Sequence, residues 1–148
     1  MFDSTNAVYT IRPALEVDAG ELARLFTLLG FPTNAGVILA QWTEWKAAGN
    51  LAFVAESAIG TLLGGITLHQ MAVLHRPRPV GRITALVVDT SVRGQGIGRA
   101  LVAAAEEALT ASGCGLLEIT SNMRLVEAHA FYERLGYERL DMRMRRRL

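Results

Sequence analysis

Three glycines at alternate positions, with an arginine at either end, mark the stretch of this chain best suited to hold a charged ligand. They lie in Val87-Val88-Asp89-Thr90-Ser91-Val92-Arg93-Gly94-Gln95-Gly96-Ile97-Gly98-Arg99, where an apolar, β-branched run passes through a turn into a helix-forming sequence. The first turn of a helix exposes N–H groups that have no intrahelical partner, and it carries a partial positive charge. Glycine allows positive φ and lets a ligand approach the backbone without a Cβ in the way. Consecutive N–H groups in such a turn form an anion-binding nest. Arg93 and Arg99 add charge-assisted bonds at its edges. The ligand implied is a phosphate or a pyrophosphate. Two common phosphate loops are excluded: no Gly-Lys-Ser/Thr closes the run, and Arg99 stands where a dinucleotide fingerprint needs its third glycine. A tight strand-to-helix connection without a ligand is the other reading of this segment.

The elements that would position this turn follow from periodicity. Val8 to Arg12 reads as a strand stopped by Pro13. Glu21, Leu22, Leu25, Phe26, Leu28 and Leu29 recur at helical spacing, with Asp18 as N-cap and Gly30-Phe31-Pro32 as the end. Asn34 caps a second helix through about Ala48, with Val37, Ile38, Gln41, Trp42 and Trp45 along one side. Leu51 to Glu56 and Thr61 to His69 form a hairpin around a short turn, and Met71 to Gly81, with Pro77 and Pro79, is a loop. Arg82 to Asp89 is apolar enough to be a strand buried on both faces. A helix from about Ile97 to Ala111 turns Leu101, Val102, Ala105 and Leu109 inward and closes at Ser112-Gly113. Leu116 to Thr120 is a strand, Val126 to Leu135 a helix ended by Gly136, and Tyr137 to Leu148 extended, with short strands around Asp141. The result is one mixed α/β domain over residues 1–148.

Composition narrows the partners. The 148 residues are 51% hydrophobic and 20% charged, which excludes a disordered chain. Fifteen basic and fourteen acidic residues leave a net charge of +1, so no global field recruits nucleic acid or an anionic membrane. The arginines between Arg143 and Arg147 read as a solvated edge strand in preference to a site for RNA or a phosphate. The charge-free stretch from Ser57 to His75 is broken by Gly60, Gly64, Gly65, His69 and Gln70 into strand-sized runs, not a membrane span. Met1 to Thr10 has no apolar signal region, and a lone cysteine, Cys114, has no internal disulfide partner; both point to a reducing cytoplasm.

With Val87-Val88 ahead of Arg93, Gly96 and Gly98, the glycine turn resembles the Gln/Arg-x-x-Gly-x-Gly/Ala motif of the GNAT superfamily of N-acetyltransferases. A second segment, Ala128-His129-Ala130-Phe131-Tyr132-Glu133-Arg134-Leu135-Gly136-Tyr137, resembles that family's Ala-x-x-Phe-Tyr-x-x-x-Gly-Phe segment, and the order of elements matches over nearly the whole chain. The resemblance implies a three-layer fold: a central, mostly antiparallel sheet splayed between strands 4 and 5, flanked by four helices. It implies acetyl-CoA as cosubstrate and no metal. The pantetheine arm would pair with main-chain groups of Leu86, Val87 and Val88, and the pyrophosphate would rest on Arg93, Gly94, Gln95, Gly96, Ile97, Gly98 and Arg99. The N–H of Val88 would polarise the thioester carbonyl.

Tyr132 falls on the family's tyrosine that protonates the departing thiolate. A phenol of ordinary pKa about 10 can do this when held at hydrogen-bond distance. An attacking ammonium must first lose a proton. Family members use a glutamate at the start of the fourth strand, where Arg82 stands here, or one on the fifth, where Glu118 stands. Glu56, His69 and bulk solvent are further candidates for the base. The family's asparagine seven residues before the tyrosine is replaced by Leu125; Asn122 either takes over its place at the cofactor or caps the next helix. Phe26, Leu29, Phe31, Trp42 and Trp45 either line the acceptor pocket or belong to the core. The implied activity is transfer of an acetyl group to a primary amine of a small molecule or peptide, in a protein free to be a homodimer. An acyl-CoA-binding sensor without turnover and a plain nucleotide-binding protein are the competing readings.

Overall fold

Short alternating runs build the sheet first. In a computed structural model, which describes residues 8–120, 126–140 and 144–148, the strands are β1 (Tyr9–Pro13), β2 (Leu51–Ser57), β3 (Leu62–Met71), β4 (Val80–Val88) and β5 (Leu116–Ile119). They lie side by side in chain order, antiparallel throughout except for the parallel pair β4–β5. The helices are α1 (Ala19–Leu29), α2 (Ala35–Ala47), α3 (Ile97–Ala111) and α4 (Val126–Arg134), with 3-10 turns at Glu16–Asp18 and Thr90–Val92. This is the expected mixed sheet with helices on both sides. Among the described residues no helix is long and apolar enough to cross a membrane.

Each sheet face has its own core. On one, Ile66, Leu68 and Ile83 meet Ile97, Leu101, Val102, Ala105 and Leu109 of α3, and Phe131, Tyr132 and Leu135 of α4 pack against them. On the other, Val54, Leu62 and Val87 meet Leu22 and Leu25 of α1, with Trp42 and Trp45 of α2 half-buried at the margin. Burying each such Leu or Ile contributes about 1.5–3 kcal/mol. The seat of α3 is close. A Cβ on Gly64 would lie 2.9 Å from the Val87 carbonyl oxygen and 3.1 Å from Leu101. Gly64→Ala is therefore expected to lower the thermal midpoint by roughly 2–12 °C. Unfolding followed by circular dichroism measures this, and an unchanged midpoint would mean that the strand and helix can separate freely.

Several elements differ from the sequence reading. β1 does stop at Pro13, which is its last residue rather than the first beyond it, opposite Phe53 on the edge strand. Asp18 does not cap α1. Its carboxylate instead accepts bonds from the Arg12 guanidinium at 2.8 Å and from the Leu15 N–H at 2.8 Å. Arg12 holds that carboxyl below the usual range. Asn34 does cap α2, accepting from Val37 N–H at 3.1 Å. On that helix Ile38, Trp42 and Trp45 turn inward, whereas Val37 and Gln41 are exposed. β4 is not buried on both faces: Thr84 is exposed, and Arg82, Ala85 and Leu86 are only partly covered. Among the described residues no strand follows α4, and the expected strand residues at Asp141 lie outside them.

Candidate functional site

The sheet opens where β5 stops. Pairing runs from Val80↔Leu116 to Ile83↔Ile119, and β4 then continues to Val88 after β5 has ended. One residue past that last pair, β4 slips in register against β3: Ala85 faces Thr67, Ile83 faces Leu68, and Thr84 has no opposite residue. A bulge bends its strand and increases the local twist. The Thr84 and Thr67 hydroxyls sit 2.7 Å apart. The Asp89 N–H donates to the Leu63 carbonyl at 2.8 Å, toward β3. Main-chain groups alternate sides along a strand. The N–H and C=O of Leu86 and Val88 therefore point the other way, into the gap, where Arg93 Nε reaches the Val88 carbonyl at 3.4 Å.

The turn after β4 is held from both ends. Asp89 Oδ1 accepts from Ser91 N–H at 3.0 Å and Ser91 hydroxyl at 2.9 Å, while Oδ2 accepts from Arg24 at 2.7 Å. These bonds, the Ser91 N–H foremost, hold the Asp89 carboxyl at about 2. Arg24 also donates to Glu21 and, at 2.8 Å, to the Leu62 carbonyl, so α1 is tied to the start of the turn. The sequence reading missed this network, because its members are far apart in the chain. Gly94 and Gly96 take φ of +79° and +82°, and a Cβ on either would meet nothing within 4 Å, so the backbone there is open to an approaching ligand. The first helical bond runs from Ala100 N–H to the Gly96 carbonyl, leaving the N–H groups of Ile97, Gly98 and Arg99 in the first turn. Ile97 is buried, so its side chain is an anchor and only its main chain faces the turn. Arg93 and Arg99 are exposed.

Removing Arg24 is expected to cost about 1–3 kcal/mol, since two carboxylates, Glu21 and Asp89, and the Leu62 carbonyl lose a charged donor. The pH dependence follows from Asp89. Its folded pKa lies below the ordinary 3.8, so the pairing stabilises above pH 4 and is lost as pH falls toward about 2. Thermal midpoints of wild type and Arg24→Ala should converge over that interval. A gap independent of pH would break the assignment.

α4 closes the same end of the sheet. The Phe131 ring lies 3.4 Å from where a Gly98 Cβ would be, with Val88 at 3.6 Å. The Tyr132 ring centroid is 5.2 Å from that of Phe131 and 5.9 Å from that of Tyr137. The Phe131 ring thus lies against the start of α3, with Tyr132 packed on it. Burial pushes its hydroxyl up to about 12, and no described residue hydrogen-bonds to it. Tyr137 donates to Glu106 of α3 at 2.7 Å, fixing α4 against α3. Asn122 and Leu125 lie outside the described residues.

Glu118 is elsewhere. It faces Arg82 across β4–β5, with Arg82 Nη2 3.1 Å from its carboxylate. Leu117 and Ile119 point to the α3 side, so Glu118 stands on the opposite face from Tyr132. Arg82 lies four residues before Leu86, about 13 Å along the strand. His69 is opposite Arg82, its Nδ1 2.5 Å from Asn50 Oδ1, and Asn50 donates to the Trp45 carbonyl. Glu56 does not border the gap: it is bonded to Arg12 at 2.7 Å, on the β1 side of the sheet. Phe26, Leu29, Trp42 and Trp45 pack against the core, while Phe31 is 68% exposed. Among the described residues no three His, Cys, Asp or Glu side chains gather as a metal site requires.

The chain is similar to known acetyltransferases in sequence and in fold. Residues 21–137 match the sequence profile of the acetyltransferase (GNAT) family. The chain is 39% identical over 89 residues to an aminoalkylphosphonate N-acetyltransferase of Salmonella typhimurium, covering 60% of this chain and 58% of that relative. It is 32% identical over 136 residues to the aminoglycoside N(6')-acetyltransferase type 1 of Stenotrophomonas maltophilia, covering 89% and 88%. The crystal structure of a Trypanosoma brucei acetyltransferase superposes with a TM-score of 0.83 at 30% identity, over 95% of this chain and 100% of that one.

Proposed function

The chain belongs to the GNAT family of acetyltransferases, and we propose that it moves an acetyl group from acetyl-CoA to the primary amine of a small molecule. The whole of residues 1–148 serves as one domain. The observation that carries this reading is the stretch of β4 beyond Ile83, where no described strand lies on the β5 side, leading into the open Gly94–Gly96 backbone at the start of α3. That arrangement suits an extended amide-bearing arm ending in a pyrophosphate. The two relatives are named for amine acetylation, which supports the acceptor class.

Acetyl-CoA brings an activated thioester, whose acetyl carbon accepts the amine directly. The new C–N bond forms, the C–S bond breaks, and the amine's proton is finally carried by the thiol. The residues of this chain do the positioning. Main-chain groups of Leu86 and Val88 hold the arm and their N–H groups polarise the carbonyl, whereas Val87, expected to share in this, turns its main-chain groups to β3. The turn Arg93–Arg99 holds the diphosphate. Tyr132 donates a hydrogen bond to the departing sulfur. With its hydroxyl at about 12 it keeps its proton throughout the physiological range. Glu118, on the other face and paired with Arg82, takes the proton from the amine before the amine reaches the thioester, or bulk solvent takes it.

Calorimetry with acetyl-CoA, CoA and ATP, joined to thiol release across an amine panel, tests the reading. CoA and acetyl-CoA are expected to bind, ATP to fail, and at least one amine to release thiol. Binding of ATP alone would make the turn a nucleotide site. Binding of CoA with no release from any amine would make the protein a sensor.

A further inference from the structure

We propose that Arg24 of α1 is a positioning residue for the cofactor: it sets the affinity for the diphosphate, without touching it, by holding Asp89 and through Asp89 the turn that leads to Arg93. This rests on the cofactor placement proposed above and names a residue that governs it.

The helix α1 grips the end of β4 in two ways. Leu22 and Leu25 pack with Val87 in one core. Glu21 and Arg24, three residues apart on one side of the helix, form an ion pair beside that contact. Every nitrogen of the Arg24 guanidinium has an acceptor. Nε reaches Glu21 at 2.7 Å, Nη2 the Leu62 carbonyl at 2.8 Å, and Nη1 the Asp89 carboxylate at 2.7 Å. Glu21 in turn accepts from the Leu62 N–H at 3.3 Å. Because the guanidinium is a rigid planar fork, two branches fixed on α1 and the start of β3 determine where the third one points.

That third branch ends on a residue bound at four points. Asp89 Oδ2 faces Arg24, and Oδ1 takes both the N–H and the hydroxyl of Ser91. The Asp89 N–H donates to Leu63, and its carbonyl accepts from the Val92 N–H at 3.1 Å. A rotation of the carboxylate would therefore carry Ser91 with it and displace the 3-10 turn that ends one residue before Arg93. Beyond it, Gly94 and Gly96 give the backbone little stiffness of its own, so its course is set by its two anchors, α3 and Asp89. N–H groups that already converge before an anion arrives bind it more tightly than groups that must be ordered by it. Arg24 has a second effect of the same sign: it neutralises a carboxylate that would otherwise stand as a free negative charge ahead of the diphosphate.

The test is calorimetry with CoA, and with pantetheine in competition against CoA; pantetheine is the same arm without diphosphate or nucleotide. Arg24→Gln is expected to weaken CoA by roughly 10- to 30-fold and pantetheine by less than about twofold. Arg24→Lys, which keeps the charge and loses the fork, should recover part of the loss. Asp89→Asn, which removes the Arg24 contact together with the stray charge, should weaken CoA by a smaller factor, and adding Arg24→Gln to it should change nothing more, since both act through one contact. Asp89→Asn also carries the test if Arg24→Gln does not fold. Equal CoA affinity in wild type and Arg24→Gln would overturn the proposal. So would an equal loss for CoA and pantetheine, which is general loosening of the fold, or losses that multiply in the double variant. Wild-type affinity in Asp89→Asn would leave Arg24 without its route to the turn and overturn it as well. Acetylation of an amine by a protein whose CoA affinity ignores Arg24 leaves the transferase standing and sinks this inference. Arg24-dependent CoA binding without acetylation of any amine upholds the inference and sinks the transferase, and a wild type that binds no CoA sinks both.

Discussion

Gly96→Glu is expected to abolish CoA binding in a protein that still folds. Gly96 is left-handed at φ +82°, so any side chain there carries about 1–2 kcal/mol of strain. Its Cβ would meet nothing within 4 Å, so there is no collision to add. The new side chain must therefore project into the space above the α3 N-terminus, where the pyrophosphate is proposed to lie. It brings bulk, and it sets a carboxylate against an anion on the same N–H groups. The loss should exceed roughly 100-fold in Kd, since a charge-assisted contact becomes a like-charge one. Gly96→Ala carries the strain without the charge and should keep measurable affinity. Calorimetry of both variants, with circular dichroism to confirm folding, separates the effects. Unchanged affinity in Gly96→Glu would move the diphosphate away from this turn.

Tyr132→Phe should lower kcat by roughly 100- to 1,000-fold, the usual effect of removing one preorganised donor to developing charge. Two properties of the site shape this expectation. Burial holds the hydroxyl near 12, against about 8.5 for an ordinary alkyl thiol, so complete transfer to a thiolate runs uphill by about 5 kcal/mol. Tyr132 therefore acts chiefly as a hydrogen-bond donor as charge builds on sulfur. The protonated form is the active one, so the rate has no falling limb from this group until pH approaches about 12. No described residue bonds to the hydroxyl, so its removal should shift stability by less than about 1 kcal/mol. Affinity for acetyl-CoA should be little changed. A variant as fast as wild type would remove Tyr132 from the mechanism.

The order of residues was enough for everything that depends on neighbours in the chain. The glycines at 94 and 96 demanded a left-handed turn, and both are left-handed. The 3.6-residue stripe Leu101, Val102, Ala105 and Leu109 specified which side of α3 is buried. The Phe131-Tyr132 segment and the glycine turn together identified the family. Asn34 capped α2 because a cap needs only its own helix.

Tertiary structure decided what depends on pairing between distant segments. Nothing in the local pattern of Arg82 to Asp89 says that Thr84 will lack a partner, because a bulge exists only in the register of two strands. The same holds for Asp18. Beside a helix it reads as a cap, but an arginine carried on β1 binds its carboxylate instead. Arg24 and Asp89 meet across 65 residues of chain. Arg82 and Glu118, 36 residues apart, look like a lost base and a retained one until the parallel register makes them a single ion pair, with the Arg82 Nε buried and without a partner among the described residues. Local conformational preference acts within a turn or two of chain, whereas strand register is settled by the burial of a whole face, so only the folded sheet could show where these charges meet.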